Sequence, residues 1–223
     1  MMPKVHDMGG SLVSRRVDTS SSEQKFKAEW EKDVFAITLA LGFSGLWNLD
    51  RSRFARESLE PNDYLRFSYF EKWLAGLINL LGESGIISEK KGNEENFEKN
   101  SFRILEAKNV KKLLQMGGPT KRASTTEKKF DLEEVIAVKT NISNERIKGG
   151  HTRLPAYVKG RVGKIIAYHG SHVLPDTNAH FLGENPEPLY SVEFKSKDLW
   201  DKYEDIEDTV IVDLWESYLE KLE

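Results

Sequence analysis

Three arginines, Arg51, Arg53 and Arg56, lie in a stretch otherwise rich in Trp, Leu, Phe and Tyr (GLWNLDRSRFARESLEPNDYL, 45–65). On a helix, Arg53 and Arg56 stand three apart and share a face. A guanidinium so close to apolar side chains calls for an anion, because a buried charge without a partner is costly. A salt bridge to Glu57 or Glu60 at the helix surface is one reading; a buried anion is the other. A fourth arginine sits in GGHTRLPAYVKGRVGKIIAYHG (149–170), where Gly149 and Gly150 deliver His151 and Arg153 on an exposed segment. Alone, Arg153 reads as ordinary solvated surface, unless something outside the segment faces it.

Two further clusters bear on chemistry. His169, His172, Asp176 and His180 (HGSHVLPDTNAH, 169–180) have ligand-capable side chains for zinc. Their spacing matches no closed site, so loop packing with Asp176 as a cap is the plainer reading. Glu184 and Glu187 in GENPEP resemble an acid/base pair, but they sit in a Pro-interrupted turn with no flanking nucleophile. The chain shows no nucleotide-binding Gly loop, no HExxH and no GxSxG. It has no cysteine, which excludes disulfides, thiolate metal sites and Cys nucleophiles within it.

The elements that must position these residues divide in two. The first 20 residues carry no sustained period and read as an extended arm. Ser20 with Glu23 is a capping-box pattern, and Phe26, Trp30, Val34, Ile37 and Leu41 make one apolar stripe stopped by Gly42. Asp50 is placed to cap a short arginine-bearing helix, and Pro61 opens another turn. Ser68 and Glu71 form a second capping box before Phe70, Trp73, Leu74, Leu77, Ile78 and Leu81. A shorter helix follows over 101–115. Residues 116–129 have no apolar face and read as a linker. After it the period changes to that of strands: VIAVKT (135–140), RVGKIIAYHG (161–170) with Gly163 a candidate bulge, LYSVEFK (189–195) and TVIVDLW (209–215). Short strands at close spacing suggest a small antiparallel barrel. The reading is an α+β chain: arm and helical domain over 1–115, linker over 116–129, β-barrel over 130–223.

Charge and composition set the outer bounds. The formal charge of −3 gives no general attraction to nucleic acid or to an anionic membrane. With 39% hydrophobic and 31% charged residues, the 223-residue chain has the make-up of a soluble globular protein. No apolar run approaches the ~18 residues that span a bilayer. The opening MMPKVHDMGG lacks a signal-peptide pattern, so a cytoplasmic protein is expected.

Five motifs in order resemble the beta subunit of nitrile hydratase. They are VHDMGG (5–10), FKAEWEKDVFA (26–36), RFARESLEPNDYLRFSYFEKWLAGL (53–77), the pair GGHTRLPAYVKGRVGKI (149–165) and HGSHVLPDTNAHFLGENPEPLYSVEF (169–194), and the closing DLW (198–200) with VDLWESYLE (212–220). The resemblance implies an enzyme that converts R–CN and water to R–CONH2, and a C-terminal barrel of SH3-like form. It implies a partner alpha subunit whose C-x-x-C-S-C claw holds cobalt(III) or iron(III), with two of its cysteines oxidised. A cysteine-free chain fits the subunit that binds no metal itself. The family's two beta-subunit arginines that hydrogen-bond the oxidised cysteines map onto Arg53 and Arg153, and its substrate-pocket positions onto Leu49, Ser52, Tyr69 and Trp73. Ser52 stands where relatives commonly carry a bulkier apolar residue, and the HGSHVLPD…GENPEPLYSV version looks more like cobalt-type relatives. An αβ heterodimer is implied, with doubling to a heterotetramer left open.

Thiocyanate hydrolase uses related subunits, but there the two halves are separate chains. The small activator relatives resemble only the N-terminal half. In a different class, YVKGRVGKI resembles the turn of RNA-binding SH3-like modules, with Lys159, Arg161 and Lys164 meeting phosphates; the acidic balance argues against that.

Overall fold

The computed structural model describes residues 5–7, 25–87, 103–123, 126–140, 144, 147–200 and 207–222. The chain forms two compact units, one of Met1–Arg16 with Thr120–Glu223 and one of Val17–Pro119. Helices dominate the first part of the chain and antiparallel strands the second, as an α+β chain should.

In the helical unit, α1 runs Glu29–Phe43. Ser20 and Glu23 lie outside the described residues. Ala28 stands at the N-cap with no side-chain oxygen to offer, and Glu31 reaches back to accept from the backbone N–H groups of Lys27 and Ala28. The inward face is Glu31, Val34 and Thr38, while Trp30 and Ile37 of the expected stripe are exposed. The helix is apolar on more than one face, so its period alone does not choose the buried one. Thr38 satisfies its hydroxyl on the Val34 carbonyl at 2.7 Å.

Helix α2, Leu49–Glu57, is capped by Asn48, whose Oδ1 accepts from Arg51 N–H at 2.8 Å. Asp50, the expected cap, lies inside the first turn and is buried. Pro61 opens α3, Pro61–Arg66, at a position where a missing N–H costs nothing. Helix α4, Tyr69–Glu83, starts on the Ser68–Glu71 capping box: Ser68 N–H donates to Glu71 at 2.7 Å, and Glu71 N–H donates to Ser68 Oγ at 3.4 Å. It runs through Gly82, and Gly85 at φ +72° turns the chain away. Val34, Trp47, Ala55, Leu77 and Leu80 make the core of this unit. Helix α5, Ala107–Met116, closes at Gly117 and buries none of its residues.

The other unit is a sheet. Its strands are β1 (Lys121–Arg122), β2 (Val135–Val138), β3 (Val162–His172), β4 (Glu187–Lys195), β5 (Thr209–Trp215) and β6 (Leu219–Lys221). Short helices α6 (Pro175–Asn178) and α7 (Ser196–Leu199) sit between strands. The order is β5-β4-β3-β2-β6, with β1 on β3, and every pairing is antiparallel. Among the described residues β5 and β6 do not pair, so the sheet is open rather than a closed barrel. The segment 116–129 contributes β1 to it.

Gly163 is not a bulge. It pairs in register with Ile136, and the irregularities fall later, between Ile165 and Ala167 and between Tyr168 and Gly170. Gly163 serves close packing instead: a Cβ there would meet Val192 Cγ1 at 2.6 Å and Phe194 Cε1 at 2.7 Å. The core beneath joins Phe130, Ile136, Ile165, Tyr190, Val192 and Leu214, among others. Glu216, also buried, accepts from Tyr190 OH at 2.7 Å and Lys129 N–H at 2.8 Å. Burial, with that carboxylate beside it, pushes the Tyr190 hydroxyl well above the ordinary phenol range.

Candidate functional site

The three arginines of α2 have three different surroundings. Arg51 reaches Glu83 at the end of α4, with Nη2–Oε2 2.5 Å and Nε–Oε2 3.1 Å. Arg56 lies over the Trp73 ring, its Cζ 4.4 Å from the centroid. Gly76, one turn along from Trp73, makes this fit, since a Cβ there would come within 2.7 Å of Arg56 Cγ. Burial lowers the Arg56 pKa and the nearby Arg53 charge adds to it, while Tyr69 and Glu57 oppose. Arg53 is half-buried between them in sequence, close enough to Arg56 for the two charges to repel.

The expected pocket residues sit on α2 and α4, which pack on each other. Ser52 is buried and Leu49 is 57% exposed at the start of α2. Tyr69, at 65% exposure, is a surface residue rather than helix core. Its ring meets Phe70 edge-on at 5.1 Å and Trp73 at 5.8 Å. Phe26, Phe35 and Phe70 extend this cluster: Phe35 lies 5.8 Å from Trp73, and Phe26 lies 5.2 Å from Phe70. Tyr69, Trp73 and Arg56 are thus brought together. The aromatic cluster was legible only as separate apolar positions, since period says nothing of ring-to-ring geometry.

In the sheet unit, Arg153 is exposed, on a loop that is tied down on either side. Gly149 takes φ +75°. Gly150 has no room for a side chain: a Cβ would lie 2.8 Å from both Asn144 Nδ2 and His180 Nε2. His151 is fully buried and donates its N–H to His180 Nε2 at 2.9 Å. Asn144 Nδ2 donates to the His151 carbonyl at 2.8 Å and the Asp176 carbonyl at 2.6 Å. Arg153 N–H donates to Tyr218 OH at 3.2 Å, and Ala156 N–H to Asp7 Oδ2 at 2.8 Å. The Tyr218 hydroxyl donates onward to Asp176 Oδ2 at 2.6 Å. Burial pushes Asp176 up to about 6, against the hydrogen bond from Tyr218 and the nearby His151.

The four residues read as a zinc alternative are spent separately. His169 Nε2 meets Ser191 Oγ at 2.7 Å, and that hydroxyl donates to Asp213 at 2.6 Å. His172 bonds Thr120 Oγ1 at 2.9 Å. His180 and Asp176 belong to the Arg153 loop as described. No group of three His, Cys, Asp or Glu able to hold a metal occurs among the described residues. Glu184 takes a paired interaction from Arg122, with both N–O distances 2.7 Å, and Glu187 accepts from Ser217 N–H at 3.2 Å, so neither is poised for acid/base work. Of the suggested phosphate-binding cations, Lys164 pairs with Glu133 at 2.9 Å and Arg161 donates to the Leu199 carbonyl at 3.4 Å. No described helix is long and apolar enough to cross a membrane.

The chain is thus an α+β protein whose helices carry arginines beside aromatic rings and whose sheet unit carries Arg153 exposed on a tethered loop. The family model for the N-terminal region of the nitrile hydratase beta subunit matches residues 2–123, and that for its C-terminal region matches 119–221. A low-molecular weight cobalt-containing nitrile hydratase subunit beta of Rhodococcus rhodochrous is 31% identical over 98% of this chain and 99% of its own length. The cobalt-containing subunit beta of Pseudonocardia thermophila is 31% identical over 98% and 96%. A thiocyanate hydrolase subunit alpha of Thiobacillus thioparus is 36% identical, but over only 32% of this chain and 58% of its own. The chain belongs to the nitrile hydratase beta-subunit family, whose members work as part of the hydratase, a lyase.

Proposed function

We propose that this chain is the non-metal half of a cytoplasmic nitrile hydratase, which adds water to R–CN to give R–CONH2, and that Arg53 and Arg153 face the oxidised cysteines of an alpha partner. What carries the reading is the match of both beta-subunit halves along one cysteine-free chain. Both halves in one chain favour nitrile hydratase over thiocyanate hydrolase. The metal, cobalt or iron on the partner, supplies Lewis-acid activation of nitrile or water when bound; cobalt is favoured because two relatives carry it in their names.

The chemistry left to this chain is electrostatic. Sulfenate and sulfinate oxygens carry negative charge, and a guanidinium stays charged while offering several N–H donors in one plane. Arg53 and Arg153 hold those oxygens by hydrogen bonds and fix their orientation. Leu49, Ser52, Tyr69 and Trp73 line the side where the R group enters. The buried Ser52 hydroxyl and exposed Tyr69 ring make that lining mixed rather than wholly apolar. The open sheet is read as an SH3-like barrel parted between β5 and β6, and the assembly as an αβ pair that admits doubling.

The test is co-expression with a nitrile hydratase alpha subunit that carries the C-x-x-C-S-C claw. The pair hydrates nitriles and the chain alone hydrates none. Arg53→Lys and Arg153→Lys each cut kcat by about a hundredfold or more, because Lys lacks the planar donor fork. Near-normal turnover in both variants, or activity from the lone chain, overturns the reading.

A further inference from the structure

Arg153 has an exposed side chain on a backbone that is bound at nearly every position around it. His151 is fixed at its N–H by His180 and at its carbonyl by Asn144. At Arg153 itself the anchor is one atom, the hydroxyl oxygen of Tyr218. It accepts from Arg153 N–H at 3.2 Å and from Thr152 Oγ1 at 3.3 Å. A phenol hydroxyl has one proton, and here it goes to Asp176 Oδ2 at 2.6 Å, which leaves both oxygen lone pairs turned toward the loop. Tyr218 is 1% exposed and Asp176 8%. Asn144 joins the two sides, since one amide group donates to the carbonyls of both His151 and Asp176.

We propose that Tyr218 and Asp176 are positioning residues for Arg153: Asp176 orients the Tyr218 hydroxyl, and the hydroxyl sets the backbone from which the Arg153 guanidinium projects. This rests on the assignment of Arg153 to the shared site. A long side chain on a loop loses directional hydrogen bonds when its Cα drifts, and small misplacements of a charged donor cost rate rather than binding. The buried tyrosine restrains that drift without touching substrate or metal. The arrangement separates two tasks, since the group that meets the anion is exposed and the group that aims it is dry.

The experiment is a double-mutant cycle in the assembled two-subunit enzyme, with acetonitrile as substrate. Tyr218→Phe removes the hydroxyl and keeps the ring. The expected result is a fall of about tenfold in kcat, with KM changed less than twofold. In an Arg153→Lys background the same change costs no more than twofold, because there is no longer a fork to aim. Asp176→Asn keeps an acceptor for the hydroxyl and gives a smaller loss, about threefold, so the inference does not hang on one variant. If Arg153→Lys cripples turnover but Tyr218→Phe lowers kcat by the same factor in both backgrounds, or in neither, the positioning role is wrong while the Arg153 assignment stands. If Arg153→Lys turns over normally, the assignment falls and the positioning role falls with it.

Discussion

The two units bury their apolar residues to different degrees. In the sheet unit, Ile136, Ile165, Tyr190, Val192, Phe194 and Leu214 are all within 1% of complete burial. Some of its buried polar groups are bonded in chains, such as Lys129–Glu216–Tyr190. The helical unit has a core of five buried residues and leaves Trp30, Phe35, Ile37, Tyr69, Leu74 and Ile78 at the surface, on α1 and α4. The sheet unit holds large side chains fully dry; the helical unit leaves several on the exposed faces of α1 and α4.

Exchanges in the two units test this contrast. The largest effect is the catalytic one, loss of two or more powers of ten in kcat for Arg53→Lys or Arg153→Lys, with circular dichroism melting unchanged. Next comes Ile136→Ala, which empties a fully buried site and lowers stability by about 2–5 kcal/mol in urea titrations. Its counterpart Ile78→Ala, at a position 50% exposed, changes stability of the lone chain by about 0.5 kcal/mol or less. If the two substitutions cost the lone chain the same, the contrast is false.

A pH effect follows from Asp176, which faces Tyr218, Thr152, His151 and Glu187. Its pKa is about 6 in the fold against about 3.9 unfolded. Between those values the folded chain binds a proton that the unfolded chain has released. Stability from this group therefore falls as pH rises from about 4 to 6. Asp176→Asn removes that dependence, worth at most about 3 kcal/mol, and thermal melting across this range shows a flatter profile than the parent. The smallest effect is Arg122→Ala. Its pair with Glu184 is 36% and 48% exposed, so losing it costs under about 1 kcal/mol after screening, and less still in high salt.

Local chemistry was the readable part of this fold. The Ser68–Glu71 box starts α4 where its pattern placed it, because both halves of the motif lie within one turn. The strands β2 to β5 fall on the runs rich in Val, Ile, Tyr and Phe. The errors came where a choice between near neighbours was settled by packing. Asn48 rather than Asp50 caps α2, α1 turns a different face inward, and Gly163 yields space to Val192 and Phe194 instead of breaking the ladder. Arg53 and Arg153 were singled out by resemblance alone, since neither spacing nor charge distinguishes them from solvated cations. The clamp on Arg153 was not legible at all. Its partners are separated by 65 residues, and nothing local to a tyrosine announces which N–H it will accept.

That separation has a consequence for how the protein is made. Tyr218 emerges 65 residues after Arg153, a delay of roughly 3–13 s at common translation speeds of about 5–20 residues per second. During that interval the arginine exists with its anchor still unwritten. This tether of the loop therefore forms only after that stretch of the chain has been made.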